Sequence, residues 1–126
     1  KIALADARLD PGDVDFISAH ATATKMGDVI ESQAIRNVFG ETTPMVSGLK
    51  SYMGHTMGSC GAIETILSLY MMAEGFVAPT LNLDSIDPRC AMIRHTPGLA
   101  DYPLKVVGIQ NFAFGGVNTC LLIRKM

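Results

Sequence analysis

Two short apolar runs, Val14–Ala19 (VDFISA) and Met45–Gly48 (MVSG), each lead directly into a loop that carries a histidine. This repeat limits the possible folds more than any other feature of the chain. The first run follows Pro11-Gly12-Asp13 and ends at His20 in Ser18-Ala-His-Ala-Thr-Ala-Thr24. The second opens the stretch Gly48-Leu-Lys-Ser-Tyr-Met-Gly-His-Thr-Met-Gly58 around His55. Apolar runs of this length bounded by turn residues read as strands. Between them Asp28 offers an N-cap with Glu31 close to capping-box spacing, and Ile30, Ala34 and Val38 recur at helical spacing until Gly40 stops the pattern. Strand, helix, strand predicts an α/β fold with both imidazoles at strand ends, converging on the kind of pocket where α/β enzymes keep their chemistry.

The remaining chain extends this pattern. Lys1–Arg8 has the pattern of the last turns of a helix. From about Gly58 to Glu74 the residues Ala62, Ile63, Ile66, Leu67, Tyr70 and Met71 form an apolar stripe, widened by Leu69 and Met72, and Gly75 suits the position after a helix end. A helix apolar on most faces is expected to be buried. Pro79–Arg89 is turn-rich, Cys90–His95 is a candidate short edge strand, and Val106–Asn111 and Thr119–Ile123 read as core strands joined as a hairpin through Phe112–Asn118. The whole predicts a mixed β-sheet packed with α-helices.

A length of 126 residues suits a single domain, 1–126, and 48% apolar content excludes disorder. Mean hydropathy is +0.28, high for a chain of this size, yet no apolar stretch reaches the ~18 residues needed to cross a bilayer, so no membrane association is expected. We therefore expect polypeptide outside this sequence to cover part of the apolar surface, and the isolated chain to self-associate. The absence of an initiator Met and of a signal-peptide pattern agrees with an excised domain. Ten basic and twelve acidic residues, with no basic run, leave no electrostatic footprint for nucleic acid. Cys60, Cys90 and Cys120 lie far apart without a CxxC, as free thiols in a reducing cytoplasm would.

An imidazole at a strand end can donate a hydrogen bond or move a proton near neutral pH, although either histidine taken alone could equally be buried and bonded to backbone. Small neighbours (Ala19, Ala21, Gly54, Gly58) leave room for a ligand. The N-terminus of the following helix, and Lys50 if nearby, would disfavour the imidazolium form of His55. Two neutral imidazoles donating to one oxygen would make an oxyanion hole able to stabilise an enolate. A zinc site is the competing reading, but no cysteine or carboxylate stands at ligand spacing from either histidine. Cys60, at a helix start, is formally a nucleophile candidate, while its Gly-Ser-Cys-Gly-Ala setting suits a small packing residue. Cys120 reads as core, and Cys90 has no catalytic context. The glycines of Phe112-Ala-Phe-Gly-Gly116 permit unusual backbone angles, and its phenylalanines can gate an apolar tunnel or pack in a hairpin. Thr22 and Thr24 alternate on an extended segment, so their hydroxyls can face one groove. Glu64, if buried, needs a partner such as Lys50 or a cation.

Taken in order, His20-x-Thr-x-Thr24, Asp28-x-x-Glu31, Lys50-x-x-x-Gly-His55, Gly58-x-x-Gly61 with Glu64, Pro79-Thr-Leu-Asn-Leu-Asp84 and Phe112-x-Phe-Gly-Gly-x-Asn118 resemble the C-terminal domain of β-ketoacyl-acyl carrier protein synthases, from about Val14 to Lys125. The resemblance implies a thiolase-like fold of two similar halves, of which this chain is most of the second, within a parent of roughly 400 residues. It implies a 3-oxoacyl synthase activity of fatty acid or polyketide type. An acyl chain is loaded on a cysteine, malonyl-carrier protein is decarboxylated to an enolate, and a Claisen condensation joins the two. On the matched positions, His20 and His55 stabilise the enolate, Lys50 and Glu64 organise them, Thr22 and Thr24 contact the phosphopantetheine arm, and Phe112, Phe114, Gly115 and Gly116 line or gate the acyl site. The partners implied are acyl carrier protein and a second copy in a homodimer, with no cofactor and no metal.

The nucleophilic cysteine of that family belongs to the first half, and none of Cys60, Cys90 or Cys120 matches it, so this chain alone is expected to be inactive. Where the family pattern reads His-Gly-Thr-Ser-Thr and Phe-Gly-Phe-Gly-Gly-Thr-Asn, this chain has Ala21, Ala23, Ala113 and Val117. The added methyls narrow the backbone approach and bear on chain-length preference. The alternative is a non-catalytic chain-length-factor-like or carrier-docking partner with the same fold.

Overall fold

The computed structural model describes all 126 residues. After helix α1 (Ile2–Ala7), the chain lays down β1 (Phe16–Ser18), α2 (Gly27–Phe39), β2 (Met45–Ser47), the short α3 (Lys50–Met53) and α4 (Cys60–Glu74). It then forms β3 (Phe76–Val77), β4 (Arg94–His95), β5 (Ala100–Asp101) and the long hairpin β6 (Val106–Ala113) and β7 (Val117–Arg124). Five strands make one mixed sheet in the order β4-β2-β1-β6-β7, and β3 pairs with β5 in a separate two-stranded ribbon. The first four are mutually parallel; β7 runs antiparallel to β6.

The central strand β1 shows why the sheet needs cover on both faces. Phe16 stands opposite Met45 and Val107, and Ile17 opposite Val46 and Gly108. Because side chains alternate across a strand, Phe16 joins Met45, Leu49, Met71, Met72, Val77, Leu104, Val107 and Ile109 on the α4 face. Ile17 joins Leu4, Val14, Ile35, Val46, Ile93 and Val106 on the α1–α2 face. Parallel strands buried on both sides read as short continuous apolar runs, which is how β1 and β2 announced themselves. Asp15 secures the start of β6 by accepting from the amides of Lys105 (2.7 Å) and Val106 (2.9 Å).

Several expectations shift. The edge strand is confined to Arg94–His95, the β3–β5 ribbon was not foreseen, and the supposed loop before His55 contains α3. Helix α2 begins at Gly27 with Met26 at its N-cap position and no side-chain cap, so Asp28 is not the cap. Its buried face carries Val29, Glu31, Ser32 and Ile35, while Ile30 is 56% exposed. Cys120 is exposed, because the half of β7 near the hairpin tip has nothing packed on it. Helix α4 is where the apolar stripe misleads most. Cys60, Glu64, Ser68, Met71 and Met72 face inward, whereas Ile66, Leu69 and Tyr70 are 65%, 45% and 59% exposed.

The two ends of that stripe should therefore respond differently. Met71→Ala is expected to cost about 2–5 kcal/mol by leaving a core cavity, and Ile66→Ala within about 0.5 kcal/mol, read from denaturant midpoints. Equal losses would reverse the assignment of the α4 faces.

Candidate active site

His20 lies just past the C-terminal end of β1. Its backbone is held by a carboxylate that the sequence had assigned to helix capping. Glu31, buried on α2, accepts the amide of His20 at Oε1 and the amide of Ala21 at Oε2, both at 2.8 Å. Gln110 Nε2 donates to the same Oε1 at 2.6 Å. Three N–H donors satisfy this buried carboxylate, and in return it fixes the direction in which His20 leaves the strand.

On the opposite face of the sheet, Lys50 and Glu64 form an ion pair at 2.5 Å, with side chains 4% and 0% exposed. The partner expected for a buried Glu64 is therefore Lys50. Asn111 completes the group: Nδ2 donates to Glu64 Oε2 at 2.9 Å, and Oδ1 accepts from Lys50 Nζ at 3.3 Å. A carboxylate on one side and an ammonium on the other fix the orientation of this amide. The same Oδ1 lies 3.1 Å from His20 Nδ1. An amide oxygen can only accept, so His20 Nδ1 must carry a proton.

His55 is held in the opposite sense. Its Nδ1 accepts the Met57 amide at 3.0 Å and lies 3.3 Å from Cys60 Sγ, which accepts from Thr56 Oγ1 at 3.3 Å. A nitrogen that accepts an N–H bears no proton, so His55 as a neutral imidazole carries its one N–H at Nε2. The two rings meet edge to face, with centroids 5.5 Å apart and planes at 86°. Phe112 packs edge-on against His20 at 5.6 Å. The two neutral imidazoles expected to donate to one oxygen thus differ in this geometry: a neutral His20 has only a lone pair at Nε2, and it donates there only as imidazolium. Lys50 also turns to Asn111 and Glu64, on the His20 side, rather than to His55.

The threonine segment is not extended. Ala21 and Ala23 have φ of 36° and 57°, in the left-handed region that costs a residue with a Cβ roughly 1–2 kcal/mol. The hydroxyls of Thr22 and Thr24 still meet, at 3.3 Å, and Thr24 Oγ1 accepts the Gly27 amide at 3.1 Å. A Cβ on Gly27 would clash with that oxygen. Gly115 and Gly116, with φ of 88° and 81°, turn the hairpin, and Phe114 at its tip is fully exposed. Phe112 therefore reaches His20 and Phe114 does not.

No group of three His, Cys, Asp or Glu side chains is placed to hold a metal ion. A cavity of about 250 Å³ on the α2 face is bounded by Ala19, Asp28, Ser32, Thr80, Ile86 and His95, and touches neither His20 nor His55. Sequence reasoning missed Asn111 and Gln110. Strand alternation carries the signal for both, since Asn111 shares a face with Val107 and Ile109, and Gln110 shares the other with Val106.

A family profile described as "Beta-ketoacyl synthase, C-terminal domain" matches residues 1–84. The chain belongs to this family, whose fold is thiolase-like. Among its relatives, 3-oxoacyl-[acyl-carrier-protein] synthase 1 of Escherichia coli strain K12 is 39% identical over 113 residues, covering 90% of this chain and 28% of the relative. A β-ketoacyl synthase structure from Burkholderia phymatum superposes with a TM-score of 0.94 at 46% identity, covering 98% of this chain and 30% of that one. A type II polyketide ketosynthase solved in complex with its acyl-carrier protein gives a TM-score of 0.93 at 32% identity, covering 99% and 31%. The chain thus spans less than a third of the length of each.

Two stability tests follow from the site. Lys50→Met should cost about 3–5 kcal/mol by stranding a buried carboxylate, and the double variant Lys50→Met/Glu64→Leu should recover much of that loss; a double variant no more stable than the single would argue against the pairing. Ala21→Gly should raise stability by about 1 kcal/mol by relieving the left-handed backbone, and an unchanged or lower melting temperature would contradict that.

Proposed function

We propose that this chain supplies the histidine half of a condensing enzyme that joins an acyl thioester to malonyl-acyl carrier protein by decarboxylative Claisen condensation in the cytoplasm. The observation that carries the reading is the perpendicular His20–His55 pair, with its two rings held by different partners and backed by a buried ion pair. In this reading the first half of the longer protein holds the nucleophilic cysteine, domain 1–126 is inactive alone, and the whole acts as a homodimer on carrier-bound substrates.

The chemistry follows from the donors. When the malonyl carboxylate leaves as CO2, the electrons of the breaking C–C bond pass into the thioester and place negative charge on its oxygen. His55 Nε2–H donates to that oxygen as a neutral group. His20, with Nδ1–H engaged by Asn111, donates from Nε2 as imidazolium and brings a positive charge to the developing enolate. The enolate carbon then attacks the acyl thioester on the cysteine, and the tetrahedral adduct collapses with departure of the thiolate. Lys50 and Glu64 contribute no net charge and hold Asn111. Thr22 and Thr24 present paired hydroxyls suited to the amides of a phosphopantetheine arm. Phe112, Phe114, Gly115 and Gly116 form the acyl-side loop, with Phe112 against His20 and Phe114 free to meet the other half.

In the full-length protein, His55→Ala should lower malonyl decarboxylation by about 10²–10³-fold, the usual cost of one oxyanion donor. Cys60→Ala should leave condensation within a few-fold of the parent, since Met57 still donates to His55 Nδ1. Retained decarboxylation in His55→Ala, or lost acyl loading in Cys60→Ala, would overturn these roles.

A further inference from the structure

We propose that Asn111 is the positioning residue that makes the two histidines inequivalent: its Oδ1, oriented by the buried Lys50–Glu64 pair, holds the Nδ1 proton of His20 and so sets which proton that ring can give. The inference rests on the proposed condensing role for its kinetic consequence and on geometry alone for the tautomer.

The argument uses contacts on three elements. Asn111 ends the inward-facing row Val107, Ile109, Asn111 on β6, and so arrives at the point where α4 brings Glu64 and α3 brings Lys50. Its amide makes three contacts there, to Glu64, Lys50 and His20, at 2.9, 3.3 and 3.1 Å. A planar amide cannot turn to satisfy one without losing the others, since turning would aim Oδ1 at a carboxylate and Nδ2 at an ammonium. The half-exposed ring of His20 is thereby tied to a buried ion pair it does not touch. The Cβ that Gly61 lacks would stand 3.7 Å from Asn111 Nδ2, so α4 leaves ordinary van der Waals space beside the amide.

The charged and titratable groups around His20 are few. His55 faces it from the loop before α4, in contact with Cys60. Lys50 and Glu64 reach it through Asn111 from α3 and α4. Glu31, on α2, binds the backbone amide of His20 rather than its ring. Only Asn111 touches Nδ1, so a change at residue 111 should act on His20 first and on His55 little.

The test uses the full-length protein, with malonyl-carrier protein as substrate and 15N-labelled histidine for the spectrum. In the parent, His20 should show the Nδ1–H tautomer when neutral and His55 the Nε2–H tautomer. Asn111→Leu should return His20 to the Nε2–H form that imidazole favours in water, and because that neutral ring can itself donate from Nε2, the alkaline limb of decarboxylation should flatten. Asn111→Asp, which keeps an acceptor and adds a charge, should move that limb up by about one pH unit by favouring the imidazolium. A limb flattened in Asn111→Leu and raised in Asn111→Asp, with KM held within a few-fold, is the expected result; a merely structural asparagine would leave the limb unchanged in both. If the leucine variant does not fold, Asn111→Ala is read in the same two ways. An unchanged His20 tautomer in Asn111→Leu or Asn111→Ala, or an alkaline limb as steep in the leucine variant as in the parent, would overturn the proposal. A parent that performs no decarboxylation but shows the two tautomers, with His20 altered at residue 111, would overturn the condensing role and leave the positioning role standing.

Discussion

A lysine and a glutamate removed from water together decide how the rest of this chain can be arranged. Taking each charge out of solvent costs several kcal/mol, and their attraction offsets that cost only when geometry is good and the remaining donors and acceptors find partners. Glu64 uses both oxygens, one on Lys50 and one on Asn111. For that to happen α4 must turn Glu64 toward the sheet. Residues a turn apart on a helix share a face, so Cys60, Ser68, Met71 and Met72 follow it inward and Ile66, Leu69 and Tyr70 are left outside. The polar pair, rather than the greasiest stripe, chooses the buried face of the longest helix.

A second buried carboxylate performs the matching task on the other side of the sheet. Glu31 gathers the amides of His20 and Ala21 and the side chain of Gln110, while Glu64 gathers Lys50 and Asn111. Gln110 and Asn111 are neighbours on β6, and alternation sends them to opposite faces. The end of one strand therefore links two separate polar groups, one fixing the backbone of His20 and the other its ring. A half-buried histidine must hold its position without help from deep burial, and here that help comes from two buried acids.

What could be read from the sequence follows the range of the interactions. Strands β1 and β2, helix α4 and the terminal hairpin are local patterns, and each lies close to where its apolar spacing placed it. The convergence of His20 and His55 was also legible, since both residues sit at strand ends in small-residue loops. The use of Glu31 was not, because its spacing from Asp28 imitates a capping box while its actual partners lie on β1 and β6. Nor was the inequivalence of the histidines, which arises from Asn111, distant in sequence from His20. The exposed side of α4 misread as core has a similar origin: a helix apolar on most faces does not say which of them packs on the sheet.

Backbone strain around the two histidines points to the same priority. Three non-glycine residues with left-handed φ flank them: Ala21 directly after His20, Ala23 between the threonines, and Met57, whose own amide donates to His55, at 36°, 57° and 55°. Such conformations persist only where surrounding bonds over-determine them, and the bonds can be named. Glu31 clamps the Ala21 amide, Thr24 caps the amide of Gly27 beyond Ala23, and the Met57 amide reaches back to His55 Nδ1. Ala21 and Met57 thus each donate a hydrogen bond beside a histidine, and Ala23 precedes the threonine that accepts the Gly27 amide. Glycine at positions 21 and 23 would remove the cost and loosen the aim. The alanines leave a chain that is less stable at its loops and more rigid where the two imidazoles and two hydroxyls are held.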